Sequence, residues 1–159
     1  MSMIKNEMSL SFSALSQNEA FARVCVAAFA AQLNPTVSDI TEIKTAVSEA
    51  VTNAIIHGYE GKAGNEGNAV YENGAGNEEV GGFVNLHCEI AGRTVYIEVS
   101  DQGKGIDDIQ QAREPLYTSK PEMERSGMGF TVMEEFMDSV DVQSAPGSGT
   151  RISMTKTLA

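Results

Sequence analysis

Met8, Leu10 and Phe12 alternate with Ser9, Ser11 and Ser13, the period of a strand with one buried face. The period then changes: residues 21–33 are small and apolar at helical spacing, and Ser16 or Asn18 can cap that helix. Asn34-Pro35 breaks it. A second helix is expected from Ser38, where Asp39 and Glu42 complement the positive N-terminal end of the helix dipole. Its apolar stripe is Ile43, Val47, Ala50, Val51 and Ala54, and Gly58 ends it. Residues 83–90 and 94–100 read as two strands joined through Ala91-Gly92-Arg93, with Val95, Ile97 and Val99 on one face. A third helix from 128 to about 137 and two closing strands, 140–144 and 150–157, complete the pattern.

This order of elements predicts an α+β fold, a two-layer sandwich with helices on one face of a mixed, mostly antiparallel sheet. One domain, 1–159, is expected, with two interruptions. Residues 61–82 hold seven Gly, four Asn and four Glu, too little apolar surface to offset ordering entropy, so a flexible insertion is expected there. Residues 102–126 are irregular and lid-like, with one helical turn near 107–113. The opening strand, 9–12, suits a sheet edge, where a second copy of the chain could pair.

Composition narrows the function. The 159 residues are the size of one domain with a real core. Eleven basic against 22 acidic residues leave a net charge of −11, which argues against nonspecific nucleic-acid binding and suits a partner with basic patches. The first twelve residues lack the apolar core of a signal peptide. The 21–33 helix is too short, and with Arg23 too polar, to cross a membrane. Cys25 and Cys88 sit in apolar runs, as free thiols of a cytoplasmic protein do.

The chemistry-bearing residues fall in two blocks. Glu49, Asn53 and His57 share one edge of the second helix at i, i+4 and i+8. An amide oxygen is a hard ligand suited to Mg²⁺, and a carboxylate one turn earlier could accept a proton from an attacking hydroxyl; a polar edge bonding to nearby loops is the plainer reading, and the better one for His57. In the second block, Asp101 ends a strand before Gly103 and Gly105. That carboxylate could accept an adenine amino group while the glycines let backbone approach the base, or the segment is a simple Asp-x-Gly turn. Gly127-Met128-Gly129 before a helix offers free N–H groups to phosphate, or serves as a hinge. Lys104, Lys120 and Arg125 could neutralise phosphate charge, and Thr150 could place a hydroxyl near a purine.

Taken in order, these residues resemble the gyrase, histidine-kinase and heat-shock-chaperone ATPase superfamily. Glu49 to Asn53 is similar to its N-box, Asp101-x-Gly103-x-Gly105 to its first glycine box and Gly127-x-Gly129 to its second. Residues 115–120 resemble the lid of the histidine kinases. Within that superfamily, Phe21-Ala22-Arg23-Val24, residues 53–59 and residues 124–131 resemble the anti-sigma serine kinases of sporulating bacteria. The resemblance implies a Bergerat fold binding ATP and Mg²⁺, with Asn53 on the metal, Asp101 on adenine and Glu49 as base. It implies two partners, a sporulation sigma factor held inactive and an anti-anti-sigma protein phosphorylated on serine, and a homodimer. It brings Arg23 forward as a partner contact, against a reading in which Arg23 only faces solvent. Arg125 stands where the wider superfamily often has a third glycine. Two other readings share the pocket: a nucleotide-dependent sigma-binding module without kinase turnover, and the catalytic half of a two-component sensor.

Overall fold

The structure, a computed structural model, describes residues 5–56, 70–72, 78–80, 82–103, 105–106, 113 and 129–159. The opening strand β1 (Lys5–Ser13) is followed by helices α1 (Asn18–Ala30) and α2 (Val37–Ile56). Short strands β2 (Val70–Glu72) and β3 (Glu78–Val80) precede the long hairpin β4 (Phe83–Ala91) and β5 (Thr94–Asp101). Helix α3 (Gly129–Phe136) and strands β6 (Ser139–Ser144) and β7 (Thr150–Thr157) end the chain. The main sheet runs β1-β4-β5-β7-β6, so β1 and β6 are its edges, as the opening strand's pattern anticipates. Every ladder among the described residues is antiparallel, so the sheet uses no parallel pair. β2 and β3 form a small separate ladder inside the 61–82 span, whose remaining residues lie mostly outside those described.

Local chemistry explains the boundaries, sometimes through residues other than those expected. Gln17, not Ser16 or Asn18, occupies the N-cap of α1; the Asn18 side chain instead donates to the Ser13 carbonyl at 2.8 Å. A single 3₁₀ turn, Ala31–Leu33, tightens the far end, and Asn34 stops it in the left-handed conformation at φ 51°. For α2 the cap is Thr36 rather than Ser38: its hydroxyl accepts the Asp39 N–H at 3.0 Å. The β4–β5 turn is two residues long, since Ala91 and Thr94 pair directly. Gly92 takes φ 60° at the first central position, which a side chain would resist.

The core lies between the sheet and the helices. Val84, Leu86, Cys88 and Ile90 of β4 and Val95, Ile97 and Val99 of β5 point to one side, with Phe12, Ile152 and Met154. Against them sits α2, whose Ile43, Ala46, Val47, Ala50, Val51, Ala54 and Ile55 are all buried. The alanines let neighbouring helices approach closely, and α1 and α3 flank α2 on either side. Each fully buried aliphatic side chain contributes roughly 1.5–3 kcal/mol. The opposite sheet face is polar, carrying Ser9, His87, Glu98 and Ser153. Among the described residues no helix is long and apolar enough to cross a membrane.

Candidate functional site

Two clusters of the expected residues form on the helix-covered side. The first joins α2 to the start of α3. Glu49 and Asn53 lie one turn apart on the edge of α2, both half-buried. A Cβ built on Gly129 would stand 3.2 Å from Glu49 Oε2 and 3.4 Å from Asn53 Nδ2, so the missing side chain lets α3 start against these two groups. Asn53 Nδ2 is buried and has no hydrogen-bond partner. An unpaired buried amide costs about 1–3 kcal/mol, and such a group in a native fold calls for a ligand. The unpaired Nδ2 is an N–H donor that an anionic oxygen, such as a phosphate oxygen, would satisfy and a cation would not, while the oxygen of the same amide is the hard donor that Mg²⁺ takes.

The second cluster closes the end of β5. Burial alternates along this strand, and Asp101 falls on the buried side with Val95, Ile97 and Val99, where the pattern calls for an apolar residue. Only 5 % of it is exposed. Gly103 N–H donates to Asp101 Oδ1 at 2.9 Å, and the backbone N–H of Thr150, its ladder partner, also donates to the carboxylate. Burial outweighs both bonds and pushes the carboxyl up to about 6. Near neutral pH it is therefore ionised, with lone pairs left for another donor.

Glycines hold this cluster shut. At Gly105, φ is 78° and a Cβ would lie 2.0 Å from the Ala145 carbonyl oxygen; at Gly149, φ is 75° and a Cβ would lie 2.1 Å from the Asp101 carbonyl oxygen. The segment after β5 and the β6–β7 turn thus interlock backbone to backbone. Ser144, which the sequence reading passes over, links them: its hydroxyl receives the Ile106 N–H at 2.7 Å, bonds to the Gly149 carbonyl at 2.9 Å and meets the Thr150 hydroxyl at 2.8 Å. Its signal was the register, for Ser144 opposite Thr150 is the last pair before the turn.

Not every expected residue can be placed. Gly127, Met128, Lys120 and Arg125, together with Lys104 and His57, lie outside the described residues, as does most of the 102–126 span. Arg113, within that span, is described: it pairs with Glu134 of α3 and reaches the Val140 carbonyl. Arg23 lies on a flank of α1, its side chain 37 % exposed and its guanidinium 3.5 Å from Glu19 one turn earlier. Its apolar neighbours Phe21 and Val24 point outward, 52 % and 59 % exposed. Cys25 and Cys88 are free thiols, as expected.

Comparison with known proteins identifies the family. Residues 12–156 match the model of the histidine kinase-like ATPase domain. The chain is 54% identical over 156 residues to the anti-sigma F factors of Bacillus subtilis and Bacillus velezensis, covering 98% of this chain and 95% of each of theirs. To that of Clostridium botulinum it is 53% identical over 154 residues, covering 97% of this chain and 96% of the other. Among solved structures, the RsbU and RsbW domains of Rv1364c from Mycobacterium tuberculosis share the fold, with a TM-score of 0.59 at 20% identity over 96% of this chain and 32% of that one. With the ATPase-domain match spanning nearly the whole chain, and near-complete alignment to these relatives, the chain belongs to the anti-sigma F factor family of histidine kinase-like ATPase domains.

Proposed function

We propose that this chain is a nucleotide-controlled anti-sigma factor and an ATP-dependent protein serine kinase. The observation that carries the reading is the convergence of Glu49 and Asn53 on Gly129, with the Asn53 amide buried and unmatched. In this reading the two clusters grip opposite ends of one ATP molecule. Asp101 accepts the exocyclic amino group of adenine, while Gly103 and Gly105 bring backbone close to the ring and Thr150 completes the wall. Gly127, Met128 and Gly129 present N–H groups to the phosphates, with Lys120 and Arg125 neutralising charge. Asn53 would hold Mg²⁺, which when bound draws off charge from the phosphate oxygens. Glu49 takes the proton of the attacking serine hydroxyl, and positioning supplies most of the acceleration.

The family and the surface of α1 support two protein partners. A sporulation sigma factor is the inhibited partner, and an anti-anti-sigma protein is the phosphoryl acceptor. Exposed Phe21 and Val24 beside Arg23 give α1 an apolar patch with a cation at its flank, a surface suited to protein contact. The chain pairs with a second copy of itself and works in the cytoplasm.

The test is incubation with labelled ATP, Mg²⁺ and a candidate anti-anti-sigma protein, followed by mapping of phosphoserine. The parent should transfer phosphate to one serine. Glu49→Gln should bind ATP as the parent does and transfer none. Transfer by Glu49→Gln at the parent rate removes Glu49 from the base role; no transfer by the parent removes the kinase reading and leaves sigma binding alone.

A further inference from the structure

The sheet face turned away from the helices carries a cluster that nucleotide chemistry does not use. Glu7 and Glu89 stand directly opposite each other on β1 and β4, and so do Ser9 and His87. The two-residue spacing of His87 and Glu89 along β4 brings both to this one face. Like charges face to face across an antiparallel pair repel, so the Glu7–Glu89 pair calls for a cation. Lys5 supplies part of one: its ammonium lies 2.9 Å from Glu89 Oε1 and 3.8 Å from Glu7 Oε2. Lys5 and His87 both approach the same oxygen of Glu89, at 2.9 Å and 3.0 Å.

His87 completes a ligand set. Its Nε2 lies 3.0 Å from Glu89 Oε1 and 3.6 Å from Glu7 Oε2. One ligand atom from each of the three residues falls within 4.8 Å of the other two, close enough to surround one ion. On the far side of the ring, Nδ1 bonds the Ser9 hydroxyl at 2.8 Å, which fixes the imidazole and turns Nε2 toward the carboxylates. Outer partners of metal-bound histidines act in just this way. His87 also borders an open depression of about 360 Å³ with Ser9, Ser11, Asn85 and Glu98, which gives an ion a path from solvent.

The geometry points to a surface site for a divalent transition-metal ion of the zinc class, bound by His87 Nε2 and one oxygen each of Glu7 and Glu89. Charge explains the exchange: one ammonium balances one of the two carboxylates, whereas a dication balances both, so Lys5 leaves as the ion enters. The imidazole sets the class, because Mg²⁺ and Ca²⁺ prefer all-oxygen shells while zinc and its neighbours take nitrogen readily. Water fills the remaining positions.

The test uses the full chain, free of nucleotide and affinity tag, with Cys25→Ser removing the half-buried thiol as a rival ligand. Titration with zinc chloride in a calorimeter should show one equivalent bound. His87→Gln should weaken it roughly tenfold or more, Lys5→Ala should tighten it, and Asn53→Ala should leave it unchanged. The site is overturned if the parent takes up no zinc, or if His87→Gln takes it up as the parent does. It is equally overturned if Lys5→Ala binds more weakly, or if Asn53→Ala abolishes uptake and so moves it to the nucleotide pocket.

Discussion

Exchanging Asp101 for asparagine separates recognition from stability. In the parent, the buried carboxylate receives the N–H groups of Gly103 and Thr150 and still has lone pairs for an adenine amino group. Asparagine keeps the shape but offers one oxygen with two lone pairs, and its NH₂ faces a donor. Three donors then compete for two acceptor sites. Loss of one charge-assisted bond costs about 2 kcal/mol, or roughly thirtyfold in ATP affinity. Stability of the ligand-free chain responds differently. Because the folded carboxyl sits near 6, above its ordinary 3.8, its contribution is complete below about pH 4 and is lost as pH rises through about 6. Holding it ionised near neutral pH therefore costs about 3 kcal/mol relative to acid, a cost asparagine lacks. Calorimetric titration with ATP should show the affinity loss. Urea unfolding at about pH 5 and about pH 7.5 should show Asp101→Asn gaining on the parent as pH rises. An ATP affinity within about threefold of the parent would refute the assignment of Asp101 to the base.

Three further outcomes follow from the packing. Gly147 and Gly149 have nearly equal φ, 79° and 75°, yet a Cβ meets nothing within 4 Å at Gly147 and collides with the Asp101 backbone at Gly149; denaturant midpoints should show Gly147→Ala costing about 1 kcal/mol and Gly149→Ala about 3 kcal/mol or more, and equal costs would count against the interlock. Lys156, 8 % exposed, pairs with Glu42 at 2.7 Å and donates to the Phe136 carbonyl at the end of α3; Glu42→Ala leaves that ammonium buried and should cost about 2 kcal/mol, discounted because Glu42 is partly exposed, while Lys156→Met should cost less, both read from denaturant midpoints. Burial pushes the Cys88 thiol up to about 12, so iodoacetamide near pH 8 should leave Cys88 intact in the native chain and alkylate it once urea is added.

The fold was legible wherever one period ran long enough. β1, β4 and β5 keep strict alternation, and α2 holds a wide apolar stripe, so their identity and facing could be read directly. Caps were harder, because several neighbouring polar residues compete: Thr36 rather than Ser38 takes the Asp39 N–H, a choice of backbone geometry that composition leaves open. In the site, Asp101 was legible from its place at the end of a strand before Gly103 and Gly105, whereas its burial on the apolar face of β5 is a finding of the structure. The proximity of Gly129 to Glu49 and Asn53 follows from α2–α3 packing and was reachable only through motif order. Ser144 was harder to find, because the β6–β7 register sets it opposite Thr150 but its role also depends on the return of the chain at Ile106. Arg23 is half-covered and paired with Glu19, a placement that a reading of α1 by periodicity alone leaves open.

Asp101 is held from segments far apart in sequence, its own strand and the Gly149–Thr150 end of the β6–β7 hairpin. If the proposed contact with adenine is made there, only molecules with that hairpin docked can bind the base, so mass action would let bound ATP hold the hairpin against local opening.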